Sequence, residues 1–352
     1  MKILKVVFII ICVFCSFAPI GAQDHSHELV FTNGDIYKAD VDSGVVTQLT
    51  DTPVYESSPI WSPDGAQIAY IGAITDNYYG QYGLYVMNED GSKPVQLADD
   101  LMWRSEQIWL RDGSALIYAT SPVEGGDCII ESVMSDGSDA HEVLHKPSAL
   151  CNVPNLNPVL SPDGTQLIVG FDEQGSGLNA QLYRLTLATG ELMQLTHNRA
   201  TNSAPQWSAD GSQIAFVSNQ DGLSQIYAID ADGSNQRQLT HRTGDNFGPY
   251  WLPDSQHLVF QSNQHGYNIF ELDVTKGVVR NLTNLTKSGA WGMVLSPDGT
   301  RIAYLTGEDP VAGADHISIM DLASGQVQTL SDATNKAYSL GWYGLDWRPL
   351  KK

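Results

Sequence analysis

A five-residue motif, Trp61-Ser62-Pro63-Asp64-Gly65, returns along almost the whole chain. Its variants are Trp109-Leu110-Arg111-Asp112-Gly113, Leu160-Ser161-Pro162-Asp163-Gly164, Trp207-Ser208-Ala209-Asp210-Gly211, Trp251-Leu252-Pro253-Asp254-Ser255 and Leu295-Ser296-Pro297-Asp298-Gly299. The aspartates lie 48, 51, 47, 44 and 44 residues apart. A period of roughly 40–45 residues is that of a four-stranded propeller blade. Each unit reads as four short strands. The inner strand ends at the Trp or Leu, and the Pro-Asp-Gly segment turns the chain, Pro presetting φ and Gly admitting a positive one. The second strand is apolar on both faces, as in Ile68-Ala69-Tyr70-Ile71 and Ile214-Ala215-Phe216-Val217. That pattern fits a sheet covered by a neighbour on each side. A third strand leads to an Asp-Gly hairpin, and the fourth ends in Gln-Leu-Thr or a relative. Pro59, Pro205 and Pro249 fall in the inner strand, where an edge facing a central channel tolerates proline.

Counting fixes the blade number. Fourth strands end at Leu49, Leu97, Leu144, Leu195, Leu239, Leu282 and Leu330, which makes seven, against six complete turns. Leu29 to Thr50 hold strands two to four only, and Tyr338 to Trp347 hold a lone inner strand. The last strand therefore completes the first blade, pairing with Leu29 to Thr32 and removing two free sheet edges. The expectation is an all-β, seven-bladed propeller over residues 29–349, with no second domain.

The first 22 residues read as an address. Lys2 and Lys5 precede an apolar run from Val6 to Phe17, and small residues follow up to Ala22. A basic start, a short apolar core and a small-residue end describe a secretory signal peptide, leaving 23–28 as a short mature tail. The run is short for a membrane span, which needs about 20 residues. Forty acidic against nineteen basic residues give a net charge of −21, which argues against nucleic acid as a partner. A periplasmic or secreted, monomeric protein without a membrane span is expected. In such an oxidising compartment Cys128 and Cys151, at the same end of one blade, are a candidate disulfide; two buried thiols are the alternative.

The repeats W-S-P-D-G-x-x-I-A-(Y/F), (I/L)-Y-x-(M/I)-(D/N)-x-D-G-S and Q-L-T resemble those of the TolB-like, WD-like propeller family, most closely over residues 203–240. The resemblance implies an exported module that binds another molecule. Members of that family carry an N-terminal α/β domain before a six-bladed propeller, whereas here the repeats begin directly after the expected signal. Relatives of the repeat are also fused to prolyl oligopeptidase-type serine peptidases, but this chain has no G-x-S-x-G segment. Oligogalacturonate lyases share a propeller of this type and use a histidine-rich metal site. His145, His197 and His241 occupy matching positions here, each after an outermost strand, so they are expected around the rim and not at one ion.

No catalytic residue, metal site or cofactor is therefore assigned. The leading reading is a non-enzymatic binding or scaffold propeller for a protein or carbohydrate ligand. The alternative is an exported carbohydrate-active enzyme, a polysaccharide lyase or glycoside hydrolase. The Pro-Asp-Gly turns and Asp-Gly hairpins share one face and are uniform. The opposite face carries the variable loops, where function usually lives. Its candidate ligand residues are Glu56, Tyr78, Tyr79, Tyr82, Trp103, Arg104, Asn202, Asn246, Trp291, Trp342 and Tyr343, expected as exposed aromatics beside polar groups.

Overall fold

The computed structural model describes residues 27–350, apart from 75–80, 102–106, 121–127, 147–157, 173–178, 242, 265, 309–313, 315 and 331–343. The expected signal segment lies outside the described residues. Those residues form 28 strands in seven four-stranded antiparallel sheets. None of them forms a helix long and apolar enough to cross a membrane.

The closure read from the sequence is present. Strand β1 (Glu28–Asn33) is followed by β2 (Asp35–Asp40) and β3 (Val46–Gln48), and the blade is completed by β28 (Leu345–Trp347). The register is Leu29↔Trp347, Val30↔Asp346 and Phe31↔Leu345. Of the expected closing strand Tyr338 to Trp347, Leu345–Trp347 is present, and residues 338–343 lie outside the described residues. Arg348 staples this seam. Its guanidinium donates to Glu28, to Glu89 and, at 2.7 Å, to the carbonyl of Gly65 in the next blade's turn. It also lies 5.0 Å from the Trp61 ring centre.

The core lies between blades. Ile214, Ala215, Phe216, Leu258, Val259 and Phe260 are wholly buried because both faces of each second strand meet a neighbouring sheet. One cluster joins Ala215 and Ile226 of the fifth blade to Trp251, Leu258, Phe260 and Phe270 of the sixth. Another joins Leu29, Phe31 and Trp347 of the composite blade to Trp291, Ala303, Leu305 and Ile317 of the seventh.

Two repeat signatures have clear local causes. In the Ser-Pro-Asp-Gly turn, Ser62 Oγ donates to Asp64 Oδ1 at 2.7 Å and accepts the Gln67 amide at 2.9 Å. Asp64 also accepts the Ala66 amide at 3.0 Å, and Gly65 has φ +68°. These bonds, the Ser62 hydroxyl first, hold the Asp64 carboxyl below its ordinary range. The Thr of Gln-Leu-Thr ties the end of the fourth strand to the third strand of its own blade. Thr50, Thr196, Thr240 and Thr283 hydroxyls accept the third-strand amides of Ile36, Leu182, Ile226 and Ile269 at 2.8–3.0 Å.

Candidate functional site

All seven inner strands converge on one cavity of about 390 Å³ in the central channel. Its wall includes Ser58-Pro59-Ile60, Gln107, Val159, Ser203 to Gln206, Phe247 to Tyr250, Gly292 to Val294 and Gly344-Leu345. Val217 and Gln261 of second strands complete it.

The wall is shaped by a bulge repeated in four inner strands. The register slips between Ser57 and Ile60, Ser203 and Gln206, Phe247 and Tyr250, and Trp291 and Val294. Two residues there oppose one on the second strand, and the first of the two is left-handed. Its φ is 52° at Ser58, 48° at Ala204, 50° at Gly248 and 60° at Gly292. Ser58 and Ala204 hold this conformation despite their Cβ atoms, a strain of order 1 kcal/mol or more at each. Pro59, Pro205 and Pro249 are the second residue of the bulge. A free edge is thus only part of why proline is tolerated here: the bulge has already broken the ladder where an amide would be needed.

Beyond the bulge, one residue per blade precedes the strand-ending Trp or Leu. These are Ile60, Ile108, Val159, Gln206, Tyr250, Val294 and Asp346, paired respectively with Ala69, Ile117, Ile168, Ala215, Val259, Ala303 and Val30. All seven are half-buried, and Ile60, Val159, Gln206, Tyr250 and Val294 line the cavity. Six are neutral and the seventh is a carboxylic acid. Asp346 Oδ2 accepts the backbone amide of Trp61, in the adjoining blade, at 2.7 Å. Burial in the channel wall pushes the Asp346 carboxyl up to about 7, against the opposing pull of the Trp61 and Trp347 amides. The sequence reading passed over this residue. Its signal was present: an Asp in a repeat column otherwise filled by Ile, Val, Gln or Tyr.

The residues expected to bind ligand divide into three groups. Tyr78, Tyr79, Trp103, Arg104, Trp342 and Tyr343 lie outside the described residues, as does Cys151 of the candidate disulfide. Tyr82 and Trp291 are not exposed rings: each is 1% exposed, Tyr82 in the core of the second blade and Trp291 in the cluster against the composite blade. They plug inter-blade space, where a large ring gains most from burial.

Glu56, Asn202 and Asn246 are likewise buried and occupy one register position, opposite Gly72, Ser218 and Ser262. Asn246 Nδ2 donates to Gln225 Oε1 at 2.9 Å and to Thr240 Oγ1 at 3.2 Å. Asn202 Nδ2 donates to the Ala180 carbonyl at 2.9 Å. Glu56 accepts from Thr50 and, at 3.1 Å, from Thr52. All three knot one blade to the next, so their polarity answers buried groups between blades. Burial raises the Glu56 carboxyl above its usual range, and the two threonine hydroxyls oppose this.

Two further ionisable residues before inner strands, Asp245 and Lys287, do not line the cavity. Asp245 is tied to two neighbouring loops, by the Ser224 amide at 2.9 Å and Asn263 Nδ2 at 3.2 Å, and Lys287 is exposed. His145, His197 and His241 are exposed, and no group of three or more metal-ligating side chains occurs among the described residues.

A family model for the TolB beta propeller domain matches residues 152–340, just over half of the chain. The Tol-Pal system protein TolB of Francisella tularensis subsp. mediasiatica (strain FSC147) is 33% identical over 201 residues, which are 57% of this chain and 44% of that protein. The chain thus spans under half the length of the curated relatives it matches. Among solved structures, TolB from Acinetobacter baumannii superposes with a TM-score of 0.55 at 18% identity, covering 90% of this chain and 79% of that one. An oligogalacturonate lyase from Vibrio parahaemolyticus superposes with a TM-score of 0.66 at 14% identity, covering 88% and 85%. At such identities the likeness is one of fold, and chemistry must be argued from the site.

Proposed function

The chain belongs to the TolB beta-propeller family, and from that premise we propose that it is an exported, non-catalytic binding propeller acting in the periplasm. Its partner is a protein, which reaches into the central channel from the variable-loop face. The observation that carries this reading is the convergence of all seven inner strands on one cavity walled mainly by apolar and amide side chains. Such a wall suits recognition: large apolar contact with a few placed polar groups fixes a ligand's orientation. A propeller scaffold holds that wall rigid, which lowers the ordering cost of binding.

The competing reading is a lyase or hydrolase on glycans. A glycosidase needs two carboxyl groups about 5–9.5 Å apart. In the ring of residues before the Trp or Leu, Asp346 is the one carboxylate and the other six side chains are neutral. Nothing at the described channel wall favours catalysis over binding.

The test is capture of a partner from the envelope fraction of the producing organism, with three forms of the protein. Gln206→Trp fills the cavity and is expected to abolish capture while melting as the wild type does. Val278→Ser, on an outer strand, is expected to retain it. Equal capture by all three forms would overturn the channel reading. Release of unsaturated or reducing ends from polygalacturonate would overturn the non-catalytic one.

A further inference from the structure

Among the described residues lining the channel, the buried side-chain atoms that lack a partner are two amide oxygens. Gln107 is 4% exposed and commits its amide N–H to the Ser58 carbonyl that the bulge has freed, so its orientation is fixed. Its Oε1 receives no hydrogen bond. Gln261 is 5% exposed, and its Oε1 is likewise unmatched. Both side chains line the cavity. Asp346 adds a carboxylate beside the lining residues Leu345 and Ile60, engaged at one oxygen by the Trp61 amide.

Among the described residues, no neighbouring strand supplies a cation to Asp346. Strand β28 packs on β1, on β4 (Glu56–Trp61) and on β24 (Gly289–Leu295). Glu28 of β1 is taken by Lys38 and Arg348, Glu56 of β4 is held by threonines, and β24 has no charged residue. The wall is therefore electrostatically one-sided. An anionic ligand would find only neutral donors, the Ser58, Ser203 and Tyr250 hydroxyls and the Gln206 amide, set against the Asp346 carboxylate and the unmatched amide oxygens, and an apolar one would leave buried acceptors unmatched at the full cost of their desolvation.

We propose that the channel receives a cationic, N–H-rich group, a guanidinium or an alkylammonium, with Asp346 as its counter-ion and the Gln107 and Gln261 amide oxygens as acceptors for further donors of the same ligand. This rests on the binding-propeller reading and names the chemistry its partner presents: an arginine or lysine side chain. A free diamine offers the same chemistry, so the experiment separates the two sources. The preference for cations also sets this channel apart from any that must hold an acidic sugar.

The test is calorimetric titration of the full chain with N-acetyl-arginine methylamide, agmatine, N-acetyl-citrulline methylamide and galacturonate, at pH 8 and pH 5.5. The arginine probe is expected to bind at pH 8 and to weaken roughly thirtyfold at pH 5.5, because a carboxyl that titrates near 7 is then mostly protonated. The neutral citrulline probe and galacturonate should not bind. Asp346→Asn keeps the acceptor for the Trp61 amide and should lose the arginine probe at both pH values. Glu56→Gln, which is off the channel, should keep it. Tighter binding of agmatine than of the arginine probe would assign the site to a free amine and overturn the side-chain assignment. Equal binding by Asp346→Asn, pH-independent binding, or no binding of either cation would overturn the proposal. If Asp346→Asn still captured the partner, the cation inference would fall and the binding-propeller reading would survive.

Discussion

Trp347 and Trp207 occupy the same place in two blades, one composite and one continuous, and comparing them tests ring closure directly. Trp347 is 2% exposed and Trp207 8% exposed. Each indole N–H reaches the channel-wall carbonyl of the preceding blade at 3.3 Å, Val294 O for Trp347 and Val159 O for Trp207. Replacing a buried Trp by Ala costs about 3–5 kcal/mol from lost burial and the cavity left behind. Trp347 also carries the Arg301 guanidinium 5.4 Å from its ring centre, a contact worth about 0.5–1 kcal/mol. Trp207→Ala is thus expected to cost about 4 kcal/mol, and Trp347→Ala the same or slightly more. Urea unfolding followed by circular dichroism measures both as midpoint shifts at constant slope. A closing strand that contributed nothing would make Trp347→Ala behave as a surface substitution, within about 0.5 kcal/mol of wild type. That outcome, beside a crippled Trp207→Ala, would refute the closed ring.

The remaining expectations concern pH and backbone. Asp346 has a folded-state pKa raised from 3.8 to about 7, so its stability contribution is whole below pH 4 and is lost as pH rises through 7. Asp346→Asn should therefore stabilise the protein at pH 8 and not at pH 4. The full shift corresponds to about 4 kcal/mol, and contact with channel water should reduce the gain to roughly half; unfolding curves at the two pH values that shift equally would contradict this. Asp64 runs the other way: its carboxyl is held low by Ser62 and the Ala66 amide, so its contribution is present above pH 4 and lost in stronger acid. Ser62→Ala should accordingly lower the melting temperature more at pH 6 than at pH 2.5, as scanning calorimetry would record. Gly299 and Gly190 both have left-handed φ, +68° and +69°, but a Cβ on Gly299 would sit 2.2 Å from Pro253 Cδ while one on Gly190 meets nothing within 4 Å. Gly190→Ala should cost about 1–2 kcal/mol for backbone strain alone, and Gly299→Ala roughly 1–3 kcal/mol more for the clash.

The blade plan was legible because it is written in short-range chemistry repeated many times. Ser-Pro-Asp-Gly closes its own turn, and the doubly apolar second strand can only sit between two sheets. The half-repeats at Leu29 to Thr50 and at Trp347 told where the ring closes. The site was less legible, since exposure depends on neighbours distant in sequence. Tyr82 and Trp291 looked like loop aromatics, yet the blades beside them cover both rings. Asn202, Asn246 and Glu56 looked like surface polar groups, but they answer buried threonines and carbonyls of the preceding blade. Asp346 showed the reverse error. It lies inside the closing inner strand, in a repeat column otherwise filled by neutral side chains.

The geometry of the Arg348 staple has a mechanical consequence. Strands β1 and β28 are antiparallel, and Arg348 N donates to the Glu28 carbonyl at 2.9 Å, so the chain before residue 28 and the chain after residue 348 leave the ring at one point. Tension applied between those two flanks would not shear the pairing along its length. It would peel it, loading Glu28 and Arg348 first and then Leu29↔Trp347, Val30↔Asp346 and Phe31↔Leu345 one after another. Bonds loaded in series yield at far lower force than bonds loaded together. The ring is therefore set to unzip when pulled by its ends, and the Val30↔Asp346 pair opens once Arg348 and Trp347 have let go.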